Sequence, residues 1–249
     1  MKSFYNATGM HKGRAGFGAM FNNTVNVCKY HYEKFNNNDI LFGNEEINDI
    51  FETKIIDNIY EYTYDLEKSY DDAMYPNPSN AHVICDIEKV KEKNRILNMF
   101  FKLKDTEYYE MMKSKYVDDN TLSIHIRGTD KKSEIIPPSL DSICLKIEYV
   151  INNNDIRGIF LSTDDIYYRN EISSRFGDIV SYIKDNTIST NGMPIHFIED
   201  RTKINKELMV DIYLLSQSKY FLYCFSNVSY LALTMGINNF KKIKCLNEN

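Results

Sequence analysis

The sequence predicts an α/β protein whose C-terminal half is built on a doubly wound parallel sheet. Three observations carry that expectation. From residue 121 onward short apolar runs alternate with stretches of helical periodicity, the apolar runs are nearly unbroken, and three of them end in polar clusters. Strand alternating with helix is the pattern of a parallel sheet. Parallel strands covered on both faces read as continuous apolar runs, and the ligands of such sheets bind beyond the carboxyl ends of the strands.

In chain order, the first feature is KGRAGFGAM (12–20), whose glycines include Gly16 and Gly18. It reads either as an ordinary glycine-rich turn or as a loop that brings backbone close to a ligand at a helix N-terminus. Phe21, Val25, Cys28, Tyr32 and Phe35 then form one apolar helical stripe. Residues 45–80 are acidic and rich in tyrosine, and they end in YPNPSN, where two prolines break regular structure. HVICDI (82–87) reads as a short buried strand, and 88–115 as mostly helical. The polar run MMKSKYVDDN places a boundary that divides the chain into lobes of residues 1–117 and 118–249.

Beyond that boundary TLSIHI (121–126) is a strand, and Leu140, Ile143, Ile147, Val150 and Ile151 mark an amphipathic helix. GIFLST (158–163) is a strand, 164–176 a helix and IVSYI (179–183) a strand. Leu208, Ile212 and Leu215 give a helix, YFLYCF (220–225) a strand, 227–236 a helix ending at Gly236, and KIKCL (242–246) a last strand.

The 249 residues suit one large domain or two small ones, and 43% apolar with 26% charged residues is ordinary for a globular protein. A net charge of -5 argues against nucleic acid as a partner. Five scattered cysteines without a Cys-x-x-Cys pair argue against a disulfide framework and a structural zinc site, and for a reducing compartment. No run approaches the ~20 apolar residues of a membrane span, and the N-terminus has no signal-peptide core. A cytoplasmic location is therefore expected.

The chemistry gathers at three strand ends. The first carries His125, Arg127, Asp130 and Lys131, the second Asp164 and Asp165, and the third Ser226 and Asn227 at the start of a helix. Arg127 has a planar fork suited to phosphate oxygens, or it forms a salt bridge with Asp130 or Asp164. The two readings are compatible, since a carboxylate can orient the arginine. Lys131 adds positive charge, and a helix N-terminus at Ser226 stabilises anions; together these groups suit a pyrophosphate. Glu134 is the nearest carboxylate for a general base, or else a solvated loop residue. Asp164 and Asp165 read as helix caps or as metal ligands. Gly-x-Gly-x-x-Gly is absent.

Four stretches resemble a known family. HIRGTDK (125–131) is similar to the His-x-Arg-x-Thr-Asp-Lys motif of the α1,6-fucosyltransferases and the related rhizobial nodulation fucosyltransferases. FLSTDD (160–165), VDIYLLSQSKYFLYCFSN (210–227) and KGRAGFGAMFNN (12–23) resemble three further motifs of that family, in family order. The resemblance implies a GT-B fold of two Rossmann-like lobes around a cleft. It implies a metal-independent, inverting transfer of fucose from GDP-fucose to a carbohydrate acceptor, with no other cofactor.

Carried over by residue, Arg127 would hold the β-phosphate, His125 and Asp211 would contact guanine, and Lys131 would lie by the leaving phosphate. Asp130, Asp164 and Asp165 would belong to the donor pocket. Ser226 and Asn227 would close on the pyrophosphate, and Gly16 and Gly18 would face the donor across the cleft. Glu134 would be the catalytic base, although it stands one residue nearer the lysine than the family's glutamate does. Asn227 stands where the family has serine. The shortness of the chain, with none of the eukaryotic enzymes' membrane anchor, stem or C-terminal domain, suggests a soluble bacterial or viral enzyme. Two alternatives remain open: the same fold with another nucleotide sugar, such as a UDP- or GDP-linked xylose or rhamnose, and a non-catalytic protein that binds a nucleotide sugar.

Overall fold

In the computed structural model of the protein, the described residues are 3–5, 16–36, 40–42, 45–52, 64–65, 87–129, 138–193, 195 and 200–248. The chain divides into two compact units, Met1–Thr106 and Glu107–Asn249.

In the first unit β1 (Ser3–Tyr5) lies between β2 (Ile40–Phe42) and β4 (Tyr64–Asp65), parallel to both. Helix α1 (Phe17–Phe35) precedes β2, and the short helix α2 (Glu45–Asn48) leads into β3 (Phe51–Glu52). Helix α3 (Ile87–Phe100) follows, and β5 (Lys102–Leu103) pairs antiparallel with β3. The stripe of α1 is buried at Phe21, Val25 and Cys28. Phe21 stacks on Phe51 at 4.6 Å and meets Phe101 edge-on at 5.0 Å, so aromatic packing joins the helix to the β3–β5 pair.

Of the strand expected at 82–87, only Ile87 lies within the described residues, and it opens α3. The mostly helical stretch expected over 88–115 is two helices, because the chain turns out of α3 into β5 and then passes through Asp105 with φ of +49°. Aspartate tolerates that left-handed conformation better than most residues.

The second unit carries the parallel sheet, in the order β10-β9-β6-β7-β8. Its strands are β6 (Thr121–Ile126), β7 (Gly158–Thr163), β8 (Val180–Ser181), β9 (Tyr220–Tyr223) and β10 (Lys242–Cys245), and every neighbouring pair is parallel. Its helices are α4 (Thr106–Tyr116), α5 (Leu140–Asn152), α6 (Ile166–Phe176), α7 (Arg201–Gln217) and α8 (Asn227–Gly236).

All six residues of β6 are buried, which is why its sequence reads as one apolar run. Leu122, Ile124 and Ile126 share a core with Ile143, Ile147 and Val150 of α5 and with Tyr168 and Ile172 of α6. The alternate residues face the other way: register places Ser123 beside Phe160 and Phe221, and His125 beside Ser162 and Tyr223. The division between units falls ahead of the boundary expected at 117/118, since α4 packs within the second unit. Tyr109 meets Tyr213 at 5.1 Å and Tyr116 meets Phe160 at 5.9 Å. The strand expected at 179–183 is only β8, preceded by a 3-10 turn over Gly177–Ile179.

Candidate functional site

Sheet order decides which polar clusters meet. Strands β9, β6 and β7 are neighbours and all run the same way, so the residues after Tyr223, Ile126 and Thr163 emerge side by side. A pocket open to solvent lies there, and Arg127, Asp164, Val228, Asp211, Asn186 and Arg169 are among the residues that line it.

Asp164 organises the exit from β6. Its Oδ2 is 3.0 Å from Nη1 of Arg127 and accepts from Thr129 Oγ1 at 2.7 Å, while Oδ1 accepts from the Gly128 amide at 2.8 Å. The Asp164 side chain is only 7% exposed and that of Arg127 15%, so the pair is shielded from bulk water. A charge-assisted contact of that kind both attracts and orients. The arrangement needs glycine at 128, because a Cβ there would lie 2.4 Å from the Cβ of Asp165. Asp165 has the separate task of capping α6, accepting from the Tyr167 amide at 2.9 Å. The open readings of the first and second clusters are thereby narrowed: Arg127 pairs with Asp164, and of the two adjacent aspartates one pairs with the arginine while the other caps a helix. No group of three or more His, Cys, Asp or Glu suited to a metal occurs among the described residues.

His125 sits beneath Ser226, the N-cap of α8. Its Nδ1 lies 2.7 Å from Ser229 Oγ and 3.3 Å from Ser226 Oγ. Ser229 Oγ spends its one proton on the Cys224 carbonyl at 2.6 Å, so it accepts from the imidazole. That network assigns the proton to Nδ1 and leaves Nε2 as an acceptor. Burial, with the Arg127 charge adding to it and Asp164 opposing, pushes the imidazole pKa down to about 4, so the ring is neutral. Ser226 Oγ caps the helix by accepting from the Ser229 amide at 3.0 Å, and Asn227 is the first residue of α8.

On α7, Asp211 accepts from Ser162 Oγ at 2.8 Å and from Asn186 Nδ2 at 3.0 Å. Burial pushes its carboxyl up to about 7, against the lowering effect of Ser162, Arg169 and Asn186. Glu207, one turn earlier, accepts from the Thr187 amide at 2.8 Å. Sequence reading missed Ser162, Ser229, Asn186 and Arg169. Ser162 had a signal, since it is a polar residue on a buried strand directly across from His125; Asn186 and Arg169 had none, because the fold alone turns them toward Asp211.

In the first unit Gly16 is the N-cap of α1, its carbonyl accepting from the amides of Ala19 and Met20 at 3.0 and 3.2 Å, and Gly18 is buried in the first turn. Asp130, Lys131 and Glu134 lie outside the described residues.

No family model matches the sequence, and no curated protein matches it by sequence. Solved structures do. The chain is similar to NodZ α-1,6-fucosyltransferase soaked with GDP-fucose (TM-score 0.56, 12% identity, 94% of this chain and 93% of that one). It is similar also to the same enzyme co-crystallised with GDP (0.57, 12%, 98% and 94%). A third match is the fucosyltransferase NodZ from Bradyrhizobium (0.54, 12%, 98% and 95%). Over nearly its whole length, then, the chain has the α/β fold of NodZ.

Proposed function

We propose that the protein is a metal-independent, inverting glycosyltransferase of the GT-B type that transfers fucose from GDP-fucose to a hydroxyl of a carbohydrate acceptor. The observation that carries the reading is the Arg127–Asp164 pair, oriented and half-enclosed at the carboxyl ends of adjacent parallel strands, with the N-terminus of α8 across the same pocket. The fold shared with an enzyme whose crystals were soaked with GDP-fucose supports it.

In this reading the leaving group is GDP, and charge develops on its β-phosphate as the glycosidic bond breaks. Arg127 meets that charge without having to reorganise, because Asp164 already fixes its guanidinium. The first amides of α8 and Lys131 add to the stabilisation. Neutral His125 and Asp211 accept hydrogen bonds from N–H groups of guanine. Glu134 removes the proton of the acceptor hydroxyl, a step worth about 10²–10⁴-fold.

The test has two stages. GDP is expected to raise the melting temperature where UDP does not; stabilisation by UDP alone would replace the donor. Fucose transfer is then compared between wild type and Glu134→Gln. Equal turnover removes Glu134 as the base, and GDP binding without turnover on any acceptor points to a binding protein.

A further inference from the structure

Arg169, in the first turns of α6, is the least satisfied cation of the pocket. Its guanidinium lies 4.6 Å from the centre of the Tyr182 ring, stacked rather than hydrogen-bonded. Its Nε is buried and, among the described residues, has no hydrogen-bond partner, nor does the side chain form an ion pair there. Asp211 is near enough for the two charges to influence each other, yet Ser162 and Asn186 hold that carboxylate where it stands. A buried N–H without a partner costs about 1–3 kcal/mol, so an arginine kept in this state faces a ligand that completes it. Tyr182, Asn186, Glu207 and Asp211 line the same pocket beside it.

A fixed donor fork beside a fixed acceptor selects molecules that carry an acceptor and a donor side by side on one edge. Among nucleobases that order belongs to the keto bases: guanine presents O6 next to N1–H. Adenine presents an amino group next to a bare nitrogen, which would set donor against donor and acceptor against acceptor. We propose that Arg169, pre-oriented by Tyr182, is a specificity-determining residue that donates to the keto oxygen of the donor's base while Asp211 accepts from the adjacent N–H. The assignment rests on the nucleotide-sugar reading above, and it gives the pocket's rejection of amino bases a named cause.

The experiment is calorimetric titration of the full chain with GDP and with the diphosphate of 2,6-diaminopurine riboside, which replaces O6 by an amino group and leaves N1 without its hydrogen. Wild type is expected to bind GDP about 5- to 150-fold more tightly than the analogue. In Arg169→Ala the ratio falls several-fold, to the share that Asp211 contributes at N1, and Arg169→Lys, which keeps charge and stem but only a point donor, lies between. A ratio unchanged in Arg169→Ala and Arg169→Lys overturns the assignment while leaving GDP as the ligand. Equal binding of the two compounds by wild type overturns it without any variant. If wild type binds neither compound, the nucleotide reading itself falls, and this assignment with it.

Discussion

Arg127 and Asp164 meet at 3.0 Å, whereas Arg169 and Asp211, lining the same pocket, form no ion pair. The difference lies in what else holds each carboxylate. Asp164 is anchored by the Gly128 amide and the Thr129 hydroxyl from the very loop that carries Arg127, so pairing follows from the turn. Asp211 is anchored by Ser162 and Asn186, and Arg169 is drawn onto Tyr182, so the two charges are held apart. One couple is structurally complete before any ligand arrives; the other keeps its hydrogen-bonding capacity for what enters the pocket.

The largest effect that tests this contrast is on folding. Asp164→Ala strips acceptors from Arg127, Gly128 and Thr129 at once and should cost about 3–5 kcal/mol in urea unfolding; a cost below about 1 kcal/mol would mean that the pair is not structural. Arg127→Ala should abolish the rise in melting temperature expected with GDP, a binding loss of about 2–5 kcal/mol, and an unchanged rise would contradict the phosphate role proposed for it. Gly128→Ala should destabilise by about 1–3 kcal/mol, since the new methyl group must displace Asp165. Arg169→Ala should be the mildest for folding, within about 1 kcal/mol of wild type, because no ion pair is lost.

The titratable groups sharpen the contrast through pH. A carboxyl raised to about 7 stabilises the fold fully below its unfolded value near 4, and loses that contribution as pH rises toward 7. An imidazole lowered to about 4 does the reverse: its contribution is present above about 6.5 and is lost as pH falls toward 4. Between about pH 4.5 and 6.5 Asp211 and His125 therefore oppose each other. Asp211→Asn should leave the histidine alone and give a stability that climbs with pH by up to about 1 kcal/mol per unit, measured by denaturant melts across that range.

Much of the second unit was legible in the sequence because its signals are strong and local. Leu122, Ile124 and Ile126 interleave with buried Ser123 and His125, a run that only a strand covered on both faces tolerates. Arg127, Asp164 and Ser226 could be assigned to one edge from strand polarity alone. What stayed hidden depended on three-dimensional neighbours. The 3-10 turn that shortens β8 and the break at Asp105 reflect local backbone geometry that side-chain periodicity does not report. Arg169 and Asn186 sit in a helix and a loop with no motif, and they matter only because α7 brings Asp211 to the same pocket.

The attachment of α4 bears on how the chain can be cut. Tyr109 covers Tyr213, whose phenol donates to Glu110, and Tyr116 covers Phe160, so four aromatic rings and a carboxylate are shared across this one helix. A gene fragment opening at residue 118 would leave the rings of Phe160 and Tyr213 bare and should aggregate on expression. One opening at Thr106 keeps that cover and is the shorter truncation expected to survive as an autonomous folded unit. Limited proteolysis has its natural point of entry in the turn around Asp105, just ahead of the helix.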